Sequence, residues 1–387
     1  MAAFYNFSLV SRGNHTTSIS NSSISHFGVP AWVTYQQALL WWYVITMLIC
    51  ALTGTVNILL VAVIRRNRFL RSGSGLVIGH LACLECLAST INLPVHYTTM
   101  FTPQFGLKAN AVSCAVMQIF MVTTYTAVDW TLLLLAVNRF VAVVFPHSYN
   151  WIASKKVSRI GLVSIWLFAI SLNAPFCFDV ENRFSATPPW LSCGFAQSRP
   201  GEFDFRSLQA ALSVFVPLAL VGPLYLSVLM KSVMLWQARM RMAPILNRNS
   251  QAWFDQRNQR RRLNTAKILF VCWSVYFVSF FWTNIINKFA GALMIRSPVV
   301  QLWSRTGFVI GYLIHPIFLF SLSTDHQKGL KSLLKDMAEY LAQVPEWVEQ
   351  QVSRHRVGPK SDGLAAISPS TRAPAPTAEI VLRPISR

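Results

Sequence analysis

The chain has 387 residues, of which 53% are hydrophobic and only 12% are charged. An ordinary soluble domain carries about 25% charged residues, so this composition argues against one and favours a membrane protein. The formal net charge of +20 would also fit a protein that binds nucleic acid. The distribution of the basic residues along the chain argues against that function.

The apolar residues form blocks that are long enough to cross a bilayer, which takes about 20 residues in a helix. Seven such blocks occur, at 39–64, 76–98, 112–137, 158–178, 208–230, 265–287 and 303–323. The predicted fold class is therefore an all-α membrane protein, with a bundle of seven transmembrane helices over 38–323. The sequence contains no internal repeat of the kind that many transporters show.

The segments outside the bundle differ in composition. Residues 1–37 are polar and predict a tail outside the membrane core. Residues 324–341 carry leucines and a methionine at spacings of three and four, with lysines between them, and predict a short amphipathic C-terminal helix on the membrane surface. Residues 342–387 predict a disordered tail, because from about residue 352 the chain is rich in Ser, Pro and Arg.

Basic residues are concentrated on one side of the alternating layout. Of the 34 lysines and arginines, 26 lie in 65–71, 139–159, 231–267 and the tail from 328, and eight lie in the other connections. Those eight include Arg305, near the start of the seventh block. Because cytoplasmic loops carry the excess of Lys and Arg, the C-terminus is predicted to be cytoplasmic and the N-terminus extracellular.

Three glycosylation sequons support the same orientation. They begin at Asn6, Asn14 and Asn21, all before the first block, and such sites are modified only outside the cytoplasm. We therefore predict an extracellular glycosylated N-terminal tail on a multi-pass protein of the plasma membrane.

The third block is defined by a cysteine and an arginine. Cys114 and Arg139 are 25 residues apart, which is roughly 37 Å in a helix and enough to place them at opposite membrane faces. An outer Cys114 has two candidate partners, Cys193 in the loop before the fifth block and Cys177 at the end of the fourth, and the loop position favours Cys193. No cysteine has the spacing of a metal site, so we predict neither a metal nor a cofactor.

Residues 138–149, which read Asn-Arg-Phe-Val-Ala-Val-Val-Phe-Pro-His-Ser-Tyr, resemble the Asp-Arg-Tyr segment of rhodopsin-like (class A) G-protein-coupled receptors. In that family this segment couples to the G protein, which implies this role for Asn138, Arg139 and Phe140. The family's aspartate pairs with the arginine and holds the inactive state, whereas Asn138 cannot carry that charge.

The other blocks resemble the same family, one motif at a time. The matching positions are Asn57 in the first block, Leu81-Ala82-Cys83-Leu84-Glu85 in the second, Trp166 in the fourth, Pro217 and Tyr225 in the fifth, Phe281-Trp282-Thr283-Asn284 in the sixth, and His315-Pro316-Ile317-Phe318-Leu319 in the seventh. The resemblance implies a Cys114–Cys193 disulfide. It also implies a coupling or switching role for Tyr225, Pro316 and Leu319.

Polar residues at mid-membrane depth form a second candidate site. Glu85 and Asp129 are acids within apolar blocks, and such residues are functional hypotheses by default. We predict an internal polar network of Glu85, Asp129 and His315, together with Asn57. The alternative is that each acid is an unrelated, hydrogen-bonded structural group.

The sixth block allows two registers for the family's Cys-Trp motif, at Trp273 or at Trp282. We adopt Trp282, because this register leaves Arg260–Arg262 at the cytoplasmic end of the block. The predicted ligand pocket then contains Met121, Thr124 and Trp282, although an aromatic stripe on a helix is also typical of core packing.

Two ligand classes do not fit the sequence. A receptor for amines needs an acid where Met121 stands, and an opsin needs a lysine near Val309, but 306–323 contains none. Charged residues in the outer loop favour a charged peptide, and the apolar pocket residues favour an apolar small molecule. Both ligand types stay open.

We therefore predict a receptor, not an enzyme, whose extracellular ligand shifts a two-state helix bundle to activate a heterotrimeric G protein. Its other predicted partner is membrane lipid, with no nucleic acid. The first alternative is an atypical or constitutively active seven-helix receptor that couples weakly. The second is a membrane transporter, which the missing repeat disfavours. An intramembrane metal hydrolase is disfavoured because His80, His96 and His315 are dispersed.

Overall fold

The structure, a computed structural model of the chain, describes residues 31–68, 70–71, 74–105, 111–147, 149, 154–176, 184–187, 190, 192–195, 205–242, 267, 270–280 and 297–356. Within these ranges, six helices are long and apolar enough to cross a membrane, and a seventh apolar helix is shorter. The predicted glycosylation sites, Trp282, Cys177 and Arg260–Arg262 lie outside the described residues.

The helices follow the predicted blocks in order. They are α1 (Gln36–Arg66), α2 (Gly75–Phe101), α3 (Ala111–Val144), α4 (Lys155–Asn173), α5 (Phe205–Ala210, a π-helical turn Ala211–Phe215, then Val216–Met242), α6 (Phe270–Phe280), α7 (Pro298–Leu322) and α8 (Thr324–Arg356). Short turns precede α1 at Ala31–Thr34, follow α2 at Thr102–Phe105 and follow α4 at Ala174–Phe176. The predicted helical membrane fold is confirmed.

The helices pack into a bundle around α3. This helix contacts α2, α4 and α5, while α1 contacts α2 and α7. Glycines allow α6 to approach its neighbours, since a Cβ at Gly222 of α5 would meet the Trp273 ring at 2.6 Å and one at Gly311 of α7 would meet Phe280 at 2.8 Å. The outward faces are apolar, as on Leu48 and Leu167, which are 65% and 62% exposed. Such a surface fits a lipid environment.

Hydroxyl groups inside the helices bond to their own backbone. Among the described residues, seven threonines donate to the carbonyl four residues earlier, namely Thr53, Thr55, Thr90, Thr98, Thr124, Thr126 and Thr131. In an apolar medium an unpaired hydroxyl is costly, and this bond satisfies it without a partner on another helix. The polar residues in the blocks are therefore compatible with membrane helices.

Prolines explain the irregular turns. In α2 and α5 a π-helical turn comes just before Pro94 and Pro217, each of which lacks the N–H that would continue the helical hydrogen-bond pattern. Pro316 in α7 leaves the Tyr312 carbonyl without its usual donor, and Nδ2 of Asn57 on α1 lies 3.5 Å from that oxygen. Asn57 therefore ties α1 to the proline turn of α7.

A two-stranded antiparallel hairpin, β1 (Phe184–Thr187) with β2 (Ser192–Phe195), precedes α5 and was not predicted. Cys193 on β2 forms a disulfide with Cys114 on α3, which resolves the choice of partner left open by the sequence. The hairpin contacts α3, and β2 also contacts the Leu93–Phe101 part of α2. The disulfide thus holds the loop over one end of the bundle.

The last helix is longer than predicted. The described residues fall into two compact units that divide between Leu334 and Lys335, and α8 begins in the first and ends in the second. The predicted end was residue 341. Beyond it, Val344, Val348 and Val352 continue the apolar spacing, and apart from Pro345 the segment is rich in Glu, Gln and Arg and contains no glycine, so the helix continues to Arg356.

Candidate functional site

Two buried groups from α2 and α7 meet in the middle of the bundle. Glu85 is 0% exposed and His315 is 7% exposed, and Nδ1 of His315 lies 3.1 Å from Oε2 of Glu85. A carboxylate accepts and an imidazole N–H donates, so Nδ1 is the donor of this bond. These two residues were predicted to share one polar network, and the structure brings them into contact.

Asp129, the third member of the predicted network, bonds elsewhere. The hydroxyl of Tyr276 on α6 donates to Oδ1 of Asp129 over 2.6 Å, which joins α3 to α6. The predicted network is therefore two separate pairs, one between α2 and α7 and one between α3 and α6. Tyr276 was missed because it stands in the aromatic stretch of the sixth block, from which only Trp282 was singled out, and its hydroxyl was the available signal.

A small cavity of about 20 Å³ lies between the two pairs. Its polar wall consists of Glu85, His315, Tyr225 and Tyr276, and the rest is formed by Leu132, Leu135, Val221, Cys272 and Trp273. Side chains from α2, α3, α5, α6 and α7 thus meet at one point. Tyr225, a predicted switch residue, reaches this cavity from α5 and is only 3% exposed.

We predict that Tyr276→Phe lowers the free energy of unfolding by about 1–2 kcal/mol, because buried Asp129 loses its donor in an apolar medium. A double-mutant cycle with Asp129→Asn, measured by chemical unfolding of the purified protein in detergent, isolates the pair. The double variant should lose less stability than the two single losses added together. Simple additivity would show that the hydrogen bond does not couple α3 to α6.

The far end of α3 carries the predicted coupling residues. Asn138 is 3% exposed, and its Oδ1 has no hydrogen-bond partner in the described part of the chain. Across the same described ranges, no carboxylate oxygen lies within 4.0 Å of a nitrogen of Arg139. Arg139 is half-buried, and Phe140 packs edge-on against Phe145 at 5.9 Å between ring centroids. Arg139 is therefore held without an ion pair in this part of the structure.

His326 of α8 approaches this end of the bundle. It is buried, and its Nδ1 lies 2.8 Å from Oγ of Ser323. Burial lowers the pKa of His326 from 6.5 to about 4, and the positive charge of nearby Arg139 acts in the same direction. His326 is therefore neutral near pH 7 and adds no charge beside Arg139. Leu319 and Pro316 of α7 are also buried.

The predicted pocket residues lie in the half of α3 nearer the disulfide. Met121 is 2% and Thr124 is 1% exposed, and the Thr124 hydroxyl donates to the Phe120 carbonyl of its own helix. Phe280 is the least exposed of the described aromatic residues of α6, and its ring packs against those of Tyr276, Phe308 and Tyr312.

A buried arginine in the same half of the bundle was missed. Arg305, which we had counted as a flanking charge, is only 4% exposed on α7. Its Nη1 lies 3.4 Å from Nε2 of His96 and 2.8 Å from Sδ of Met100, both on α2. An arginine near the start of a membrane span is expected at the membrane surface, and only the rotation of α7 about its axis shows that Arg305 points into the bundle.

Comparison with known proteins gives several partial matches. The chain is 27% identical over 221 residues to the allatostatin-A receptor of Bombyx mori, covering 56% of this chain and 59% of that receptor. It is 33% identical over 116 residues to olfactory receptor 9A4 of Homo sapiens, covering 30% of this chain and 35% of that receptor. It is 24% identical over 290 residues to somatostatin receptor type 5 of Rattus norvegicus, covering 73% of this chain and 72% of that receptor. The first two matches span less than two thirds of those relatives.

The family of the chain follows from a wider match. Residues 56–314, most of the bundle, match the family described as seven-transmembrane receptor, rhodopsin family. Together with the apolar helices, this supports a multi-pass plasma-membrane protein, and the relatives are receptors, not enzymes. The chain belongs to the rhodopsin family of seven-transmembrane receptors.

Proposed function

We propose that the chain is a receptor that binds an extracellular ligand and activates a heterotrimeric G protein. The observation that carries this proposal is the cavity where side chains of five helices meet. At this cavity the helices are joined by two polar pairs and not by uniform close packing. Such a core allows the helices to shift from one arrangement to another, whereas a uniformly close-packed core resists the shift. Tyr225 reaches this cavity from α5, and Arg139, which is close enough to interact with it, lies at the end of α3 opposite the disulfide.

The proposed orientation places the disulfide end outside the cell and the Arg139 end in the cytoplasm, with the N-terminus extracellular and the C-terminus cytoplasmic. The excess of basic residues in 65–71, 139–159 and 231–267 supports it, as do the sequons at Asn6, Asn14 and Asn21. In this orientation, Asn138, Arg139 and Phe140 lie at the end of the bundle that meets the G protein, and Met121, Thr124 and Trp282 belong to the ligand half.

The ligand is proposed to be either a peptide or an apolar small molecule. The relatives are named for different ligands, among them allatostatin-A and somatostatin, so their names do not decide between the two. Membrane lipid is a further proposed partner, because α8 carries apolar side chains at helical spacing.

The test uses the full-length chain, purified into lipid nanodiscs, and a panel of purified G proteins. We expect it to accelerate nucleotide exchange on at least one G protein without added ligand, because Arg139 has no ion pair in the described structure. Arg139→Ala should return exchange to the rate of empty nanodiscs. Arg65→Ala, which removes an exposed arginine from the end of α1, is the matched control and should remain active. The proposal would be contradicted if the chain accelerated exchange on none of the G proteins in the panel.

A further inference from the structure

The cluster around Arg305 lies between α2 and α7 in the half of the bundle that holds the disulfide. Both Arg305 and His96 are 4% exposed, and Nη1 of Arg305 lies 3.4 Å from Nε2 of His96. A guanidinium can only donate hydrogen bonds, so Nε2 must be the acceptor and the proton of the neutral imidazole is on Nδ1. Nδ1 of His96 is then a buried donor with no partner among the described residues.

Each helix adds a second buried polar side chain one turn away on the same face. Asn92 precedes His96 by four residues on α2, and neither Oδ1 nor Nδ2 of its amide is hydrogen-bonded within the described chain. Gln301 precedes Arg305 by four residues on α7, and its Oε1 is likewise without a described partner. Polar atoms this deeply buried are normally satisfied, so these unsatisfied atoms on the two facing helices indicate a site that receives a polar group.

The backbone of Arg305 is held in place by neighbouring residues. The hydroxyl of Tyr97 donates to the Arg305 carbonyl over 3.1 Å, and the Trp42 ring packs edge-on against the Tyr97 ring at 5.1 Å. Nε1 of Trp42 in turn donates to Oγ1 of Thr306 over 3.0 Å. The backbone of Arg305 is therefore held in place, and the contacts of Nη1 with His96 and Met100 position the guanidinium, which lowers the entropy lost when a ligand binds.

The cluster also lies close to the hairpin that carries Cys193. Strand β2 contacts the Leu93–Phe101 segment of α2, which includes His96, and Nε2 of Gln118 donates to the Cys193 carbonyl. Strand β2 therefore lies against the segment of α2 that contains His96.

We propose that Arg305 and His96 bind a carboxylate group of the ligand. This inference rests on the proposed receptor function and names the chemistry of its ligand. An arginine fork matches the two oxygens of a carboxylate, and an imidazole N–H supplies a further donor. An ionisable residue at this depth of a membrane bundle is a functional candidate by default. The carboxylate belongs either to a small organic acid or to the C-terminus of a peptide.

The experiment compares acids with their uncharged amides on the purified full-length chain in detergent, at constant ionic strength. One arm uses phenylacetate and decanoate with phenylacetamide and decanamide. The other uses an N-acetylated leucyl-phenylalanine with a free or an amidated C-terminus. Thermal unfolding is measured against probe concentration. We expect at least one acid to stabilise the protein at concentrations about 10- to 100-fold lower than its amide, since a charge-assisted bond is lost in the amide.

Variants then assign the preference to this cluster. Arg305→Gln should abolish the preference for the acid, and Arg305→Lys should keep a weaker one, while Arg65→Gln should leave it unchanged. If Arg305→Gln does not fold, the wild-type comparison and Arg305→Lys decide the matter. The proposal is overturned if no acid stabilises the wild type, if acids and amides act equally, or if Arg305→Gln keeps the full preference. The arm that responds identifies the source of the carboxylate.

These outcomes are independent of signalling, because the readout contains no G protein. Acid binding without nucleotide exchange would contradict the proposed function and support the carboxylate site. Nucleotide exchange without any preference for acids would support the proposed function and contradict the carboxylate site.

Discussion

Replacing Asn138 by aspartate should lower signalling in the absence of ligand by roughly fivefold or more, the lower end of typical coupling free energies. Asn138 is buried, and its amide oxygen has no hydrogen-bond partner in the described structure. A buried carboxylate in that position would be costly unless it were paired. The partner we expect is the guanidinium of Arg139, the next residue in the chain. The new pair would hold Arg139 against its own helix and favour the inactive arrangement.

The measurement is basal nucleotide exchange on the G protein that responds to the wild-type receptor in nanodiscs. Asn138→Ser is the matched control, because it changes the side chain without adding a charge, and it should leave basal exchange near the wild-type rate. Equal yield and equal thermal stability of the two variants would exclude misfolding. Unchanged basal exchange in Asn138→Asp would mean that Arg139 is restrained by other contacts.

The fold was predictable because a bilayer imposes a simple length rule on apolar sequence. Each predicted block overlaps a helix, and the differences lie at the ends. α3 continues to Val144, seven residues past the predicted end of its block at 137, because no proline interrupts it before Pro146. The hairpin was missed because each strand has only four residues, too few for an alternating pattern to stand out.

The site was predictable only where residue type alone determines depth and partner. Glu85 and His315 are polar residues within apolar blocks, and an imidazole N–H can donate to a carboxylate, so their contact was foreseeable. Asp129 and Arg305 show what the sequence lacks, which is the rotation of each helix about its axis. That rotation directs Asp129 to Tyr276 on α6 and Arg305 to His96 on α2, and it is set by packing among all the helices.

Removing one member of the Glu85–His315 pair should lower the free energy of unfolding more than Tyr276→Phe does. His315→Leu leaves a fully buried carboxyl without its donor, and breaking a buried pair in this way costs about 3–5 kcal/mol. Glu85→Leu leaves a buried imidazole donor unpaired, which costs about 1–3 kcal/mol. The double variant replaces both groups by apolar side chains, so it should be more stable than His315→Leu alone.

Chemical unfolding of the four proteins in detergent gives the coupling between the two side chains. His80→Leu is the matched control, because His80 is a half-buried imidazole on α2 that accepts a hydrogen bond from Nε1 of Trp166 over 3.0 Å. Its loss should cost about 1 kcal/mol, and Glu85→Leu should not reverse it. Rescue of His315→Leu, but not of His80→Leu, would show that the pair acts as one unit. If the two losses at 85 and 315 simply add, the contact between α2 and α7 is not what holds the middle of the bundle, and the cavity beside it cannot serve as the point where the helices exchange arrangements.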